Sequence, residues 1–380
     1  MLYVLLFSLI ISSGAEEPNR CKRIVCGVYN PDVPKNFVPK GFPKDYCTHA
    51  IYYSAGIVGN NLTNMYSYEL STGRHKGLYA KMADLKKSNR DLKILLNVPV
   101  PWVAPKPFAA IVAIEDSRKE FISNAITYLR KHKFDGLHID WRYPNKDGVT
   151  EEKKHLTAFL KEASEAFKKN SIETGRSRLL LSVIGHPFKV HVYEVSEIAR
   201  YVDMMNIVDF MFHGPWDTHI SHHSPLYEDD YSVDSSLQTW KNNGMPAEKL
   251  NVGITFMGIY AHVDNKMQHS YRMKIVNVEK PLYTSKCAGL ISFGEICKLI
   301  VDQNKVHRHK KERVPSYFND GLWLGYDDRM SVGEKATYAM ENGHGVWVEN
   351  VQYDDHNDTA CDMGKYPLLR SVFSGCSIQS

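Results

Sequence analysis

In the run Phe134-Asp135-Gly136-Leu137-His138-Ile139-Asp140-Trp141-Arg142-Tyr143-Pro144, polar side chains able to do chemistry recur at every second position. A β-strand sends successive side chains to opposite faces. His138, Asp140 and Arg142 then share one face, and Leu137, Ile139 and Trp141 share the other. An imidazole or a carboxylate can take part in proton transfer. A guanidinium keeps its proton throughout ordinary pH and accepts none, so Arg142 is excluded as a general acid or base. Its plainest use is to neutralise Asp140, two residues away on the same face, because a buried charge needs a partner. Alternatively, Arg142 and His138 together would make a cationic pocket for carboxylated or sulfated groups.

Such a strand needs a scaffold that covers its apolar face and turns its polar face inward. Short apolar, β-rich runs recur at Arg23–Val28, Thr48–Tyr53, Lys93–Val98, Gly136–Asp140, Leu179–Ile184, Met204–Phe210, Asn251–Phe256 and His344–Val348. Between them lie helical patterns: Phe121, Ile122, Ala125, Ile126 and Leu129 follow the i, i+3, i+4, i+7 spacing, as do Leu156, Phe159, Leu160, Ala163 and Phe167. Residues 76–88, 191–201, 233–243 and 331–341 are further predicted helices. Eight strands alternating with helices predict a (β/α)8 barrel over 21–257 and 326–380, with Arg142 at the C-terminal rim where barrel sites lie. The stretch 258–325 is too long for one crossover and reads as a small inserted α+β domain between strand 7 and helix 7.

The chain has 380 residues and a formal charge of +4. The mild charge, with no zinc-finger spacing, RNP motif or basic helix, predicts no nucleic-acid partner. Residues 1–15 carry a short apolar run followed by the small residues Ser13 and Ala15, the pattern of a secretory signal peptide. No segment predicts a membrane span. Secretion would make disulfide partners of the seven cysteines, with one left over from an odd count. Asn61-Leu62-Thr63 and Asn357-Asp358-Thr359 are glycosylation sequons. The His219-x-x-His222-His223 cluster lacks a nearby carboxylate or Cys to complete a ligand set, so no metal is predicted. The basic run 305–313 reads as a solvated loop.

The run from Phe134 to Pro144 resembles the catalytic strand of the family 18 glycoside hydrolases, the chitinases, whose pattern is Asp-Gly-x-Asp-x-Asp-x-Glu. Asp135, Gly136, Asp140, Trp141, Tyr143 and Pro144 match. The resemblance extends through Val25-Cys26, Cys47-Thr48-His49, Phe212-His213-Gly214-x-Trp216, Ser224-Pro225-Leu226-Tyr227, Gly325-Tyr326-Asp327-Asp328, Trp347 and Gly364-Lys365-Tyr366-Pro367-Leu368. It implies the same barrel with an α+β insertion and no cofactor. It pairs Cys26 with Cys47 and Cys297 with Cys361. Barrel termini often lie close together, which adds Cys21 with Cys376 and leaves Cys287 odd.

Family enzymes cleave β-1,4-linked N-acetylglucosamine polymers with a Glu as acid and the substrate's own acetamide as nucleophile, outside the two-carboxylate scheme. Here the acid's position is Arg142, the preceding Asp is His138, and the Tyr-Asp pair of the sixth strand is Phe210-Met211. Asp217 and Glu349 align near the rim, but neither holds the acid's position. No catalytic residue is therefore assigned. Asp135, His138, Asp140, Arg142, Phe210 and Met211 are degenerate positions. Gly27, Pro31, Ser54, Met257 and Ile259 replace family residues that line the sugar groove, and Pro99-Val100-Pro101-Trp102 replaces a Gly-Gly-Trp. Trp102, Arg142, Tyr143, Trp216 and Trp347 remain candidate ligand contacts, with packing at the mouth the reading for Trp216 and stacking the reading for Trp347. The resemblance therefore implies an inactive chitinase-like protein, akin to chitinase-like lectins and imaginal disc growth factors. It would be a monomer that binds a chito-oligosaccharide, an anionic glycan or a protein receptor. The alternatives are a weak glycosidase with another acid, or a pure interaction scaffold.

Overall fold

The computed structural model describes residues 20–29, 37, 41–100, 106–144, 151–229, 231–264, 272–278 and 288–377. Eight parallel strands form a closed barrel: β1 Ile24–Tyr29, β2 His49–Tyr53, β3 Lys93–Pro99, β4 Gly136–Asp140, β5 Leu180–Gly185, β6 Met204–Ile207, β7 Leu250–Ile254 and β8 Gly345–Val348. Each pairs with its chain-order neighbour, and β8 returns to β1 with Val25 opposite Trp347. The expected strands are all present, with ends displaced by a few residues. The largest difference is β6, which stops at Ile207 and leaves Phe210 and Met211 in the loop beyond it.

Alternation along β4 decides the layering. Leu137, Ile139 and Trp141 belong to the large outer core, where Trp141 packs edge-on against Phe108 of helix Lys106–Ala113. Helices Glu115–His132 and Glu152–Thr174 bury Phe121, Ile122, Ala125 and Leu129, and Leu156, Phe159, Leu160, Ala163 and Phe167, on the faces their spacing predicts. Inside the barrel is a second, smaller cluster of Val25, Ile51, Tyr53, Leu95, Ile184, Met204, Phe210 and Trp347.

After β7 the chain builds a six-stranded sheet whose pairings are all antiparallel. Its strands are Met257–Val263, Ile275–Asn277, Leu290–Ser292, Val306–His309, Val314–Asn319 and Leu322–Gly325. One side of the sheet buries Tyr260, Tyr317, Leu324 and Tyr326 with Ile291 and Ile296. The other buries Ile259, Val263, Phe318 and Trp323 with Ile220 from the loop after β6. That sheet is tied back to the barrel through a buried polar knot. Lys335 Nζ lies 2.7 Å from both carboxylate oxygens of Asp327 and 2.9 Å from Ser224 Oγ, and Ser224 Oγ donates to Asp327 Oδ2 at 2.7 Å. Two of the sequence phrases singled out above, Ser224–Tyr227 and Gly325–Asp328, thus meet in space.

Three disulfides brace the described chain: Cys21–Cys376, Cys26–Cys47 and Cys297–Cys361. The first joins the two ends of the barrel across 355 residues of sequence. Cys287 and the segment 1–15 lie outside the described residues. Among the described residues, no helix is long and apolar enough to cross a membrane.

Candidate functional site

Arg142 stands just past the C-terminal end of β4, at the barrel mouth. Its Nε donates to Asp140 Oδ1 at 3.1 Å, and its Nη2 donates to Glu349 Oε1 at 2.9 Å, just past the end of β8. The Arg142 side chain keeps 33% of its surface exposed, while Asp140 and Glu349 keep 15% and 14%. Burial opposes the charge on Arg142, but the two carboxylates outweigh it and hold the guanidinium well above its usual range. Burial raises the Glu349 carboxyl from its ordinary value, against the lowering pull of Arg142. Asp140 is the partner the strand spacing predicts. Glu349, 207 residues further on, is a partner that no local pattern reveals.

His138 lies wholly inside the barrel. Burial pushes its pKa down to about 4, with Asp140 pulling back up and Arg142 adding to the fall. The imidazole is therefore neutral at physiological pH. This overturns the expectation of a cationic pocket. With His138 uncharged and the Arg142 guanidinium engaged by Asp140 and Glu349, neither residue of the expected cationic pair is left to meet an anionic ligand. His138 instead starts a buried polar ladder. Its Nδ1 lies 3.0 Å from Ser182 Oγ, Asn206 Nδ2 donates to that oxygen at 3.4 Å, and Asn251 Nδ2 donates to Asn206 Oδ1 at 2.7 Å. Arg23 Nε closes the ladder on Asn251 Oδ1 at 2.8 Å. The ladder partners polar groups that the closed barrel hides from water, except His138 Nε2, which makes no hydrogen bond among the described residues.

Asp135 is at the other end of β4, away from the mouth. Its carboxylate accepts from the backbone N–H of Ile94 and from Lys86 Nζ, both at 2.8 Å. Its role is to join β3 to β4, not to meet a ligand.

Aromatic side chains fill the floor of the mouth. Trp347 is 0% exposed, covered in part by Phe210 with ring centroids 5.7 Å apart. In this arrangement Trp347 offers no face for a sugar to stack on, contrary to the stacking read from its position. Phe210 turns into the interior and packs against Trp347. Tyr53 is likewise buried, edge-on to His138 at 6.1 Å. Gly27 has no room for a larger residue, since a Cβ there would stand 1.9 Å from the Glu349 carbonyl oxygen and 3.0 Å from the Tyr53 ring. Ser54, Met257 and Ile259 are also buried.

Trp216 shows the opposite. It is 61% exposed, in the loop after β6, where packing at the mouth was expected. The turn that presents it is tied by Asp217, whose carboxylate accepts from the Gly214 N–H at 2.9 Å and lies 3.2 Å from His213 Nδ1. Tyr143 is half-buried at the rim, edge-on to His186 at 5.2 Å and beneath Lys189 Nζ at 5.5 Å. Arg142 is fixed from behind as well, by a hydrogen bond from Tyr193 Oη to its carbonyl at 3.1 Å. Trp102 and Pro31 lie outside the described residues. Both sequon asparagines, Asn61 and Asn357, are exposed. Asp209 is a buried carboxyl that the sequence reading overlooked. It accepts from the Gly253 N–H at 3.2 Å, and burial lifts its pKa to about 7.

A closed eight-stranded barrel with Arg142, Asp140 and Glu349 paired at its mouth defines a glycoside-hydrolase scaffold. The family described as glycosyl hydrolases family 18 matches residues 24–354, and the chain belongs to that family. It is 30% identical to mouse chitotriosidase-1 over 371 residues, covering 92% of this chain and 77% of that protein. It is also 30% identical to human chitinase-3-like protein 2, covering 89% and 87% respectively. Among solved structures, human YKL-39 superposes with a TM-score of 0.84 at 28% identity, covering 93% of this chain and 99% of that one. That protein is described as a pseudo-chitinase with retained chitooligosaccharide binding. The protein is thus a chitinase-like member of family 18.

Proposed function

We propose that this chain is a secreted chitinase-like protein that binds chito-oligosaccharide at the barrel rim without hydrolysing it. The observation that carries this reading is the ion-paired Arg142 in the acid's position, held between Asp140 and Glu349. A guanidinium cannot protonate a leaving oxygen. Removing a general acid typically costs about 10²–10⁴-fold in rate. Glu349 does not replace the acid, because its Oε1 accepts from Arg142 and its Oε2 from Asn350 Nδ2. Losses at His138, Phe210 and Met211 touch the same acting unit and are not multiplied.

Retained binding in the pseudo-chitinase relative supports a glycan ligand. The buried Trp347 argues that this ligand does not reach the barrel floor, and Trp216 is the most exposed tryptophan among the described residues to meet it. Secretion is supported by the three disulfides, which persist in oxidising compartments. The filled floor also favours a second reading, a scaffold whose rim contacts a protein receptor. Calorimetric titration of the purified protein with chitotetraose separates the two. Saturable binding supports the lectin reading, and no heat or shift at millimolar sugar leaves the scaffold.

A further inference from the structure

We infer that His222, His309 and Glu312 form a binding site for a borderline divalent metal such as Zn²⁺. Among the described residues, one ligand atom from each lies within 4.8 Å of the others. Neighbouring ligand atoms around tetrahedral zinc are roughly 3.3 Å apart, given metal–nitrogen and metal–oxygen distances of about 2.0–2.2 Å. Small side-chain rotations close that difference.

The set is assembled from two places in the chain. His222 is buried in the loop after β6. His309 ends the strand Val306–His309, and Glu312 lies in the turn that follows. The fold brings the Glu312 carboxylate to His222 from the distant basic run. The two segments are already in register, because the Leu226 N–H donates to the Glu312 carbonyl at 2.9 Å, and the His222 and His309 rings lie 4.4 Å apart.

Both rings are oriented by a second group. Glu228 Oε1 lies 3.4 Å from His222 Nδ1, and Ser316 Oγ lies 2.8 Å from His309 Nε2. Metal-binding imidazoles are commonly held in this way through the nitrogen that does not meet the metal. Three of the surrounding cations are engaged elsewhere: Arg308 with Asp328, Lys311 with Asp229 and Arg313 with Glu334. The Glu312 carboxylate makes no side-chain hydrogen bond or ion pair among the described residues, so it is not already committed to one of them. Two imidazoles with one carboxylate favour zinc, nickel, cobalt or copper over calcium or magnesium, which prefer all-oxygen sets. Such a metal would fasten the hairpin 306–319 to the loop after β6 and leave a fourth position for water.

The test is equilibrium dialysis of chelator-stripped full-length protein against Zn²⁺, with metal counted by mass spectrometry and melting followed in parallel. The expected result is one tight zinc per chain that raises the melting temperature and resists millimolar Mg²⁺. His309→Ala and Glu312→Gln should each weaken it by tenfold or more, while His219→Ala, at an exposed neighbouring histidine outside the set, should not. Glu312→Gln keeps the test valid if His309→Ala does not fold. No tight equivalent in the unmodified protein, or one that survives Glu312→Gln, overturns the inference.

Discussion

Replacing Arg142 with Ala would leave the Asp140 and Glu349 carboxylates facing each other without a cation. Both carboxylates keep only about one-seventh of their surface in water, 15% and 14%. Breaking a fully buried pair from one side costs about 3–5 kcal/mol. Arg142 is one-third exposed, so water screens part of this, and about 2 kcal/mol is the discounted expectation. At roughly 2.1 cal/mol/K of unfolding entropy per residue, a chain of this size would melt about 3 °C lower. The deficit should depend on pH in a set direction. Burial holds the folded Glu349 pKa above its ordinary 4.5. A raised carboxyl contributes stability that is complete below the unfolded value and is lost as pH rises through the folded value. Removing Arg142 deletes the pull that opposes this rise, so the loss grows. Melting curves of both proteins, taken from about pH 4.5 to pH 8, should nearly converge at the acid end and separate at the alkaline end. A deficit that is absent, or that widens toward acid, would refute the ion-pair account of Arg142.

Trp216→Ala should weaken chitotetraose binding by about tenfold, on the scale of one aromatic stacking contact, with no change in melting temperature because the ring is already exposed. Phe210→Ala should destabilise the barrel by about 3–5 kcal/mol and uncover Trp347, which faster hydrogen exchange at the Trp347 indole N–H would register. Unchanged exchange would mean that Phe210 is not its cover. Lys335→Ala should cost about 3–5 kcal/mol, since it strands a buried Asp327 carboxylate, and chemical denaturation would measure it.

The barrel was legible because its signals are local. Alternation along Leu137–Arg142 and the heptad-like spacing at Phe121–Leu129 each fix a face without knowledge of any partner. The mouth was legible only in part. Asp140 could be paired with Arg142 from their spacing, but Glu349 could not, because nothing near it in sequence announces its neighbour. The misreading of Trp347 has the same origin. Its position marks the barrel end, but its exposure depends on Phe210, on a different strand's loop, turning inward. His138 looked like a charge because its type was visible and its desolvation was not. Glu312 reaches the histidine cluster only because a hairpin folds back onto that loop, which no local pattern announces.

The fate of a bound chito-oligosaccharide separates binding from hydrolysis most directly. Prolonged incubation of the purified protein with chitotetraose, followed by mass spectrometry, should return the tetramer intact while titration shows it bound. Accumulation of shorter oligomers, abolished by Glu349→Gln, would contradict the account and assign the missing acid to Glu349.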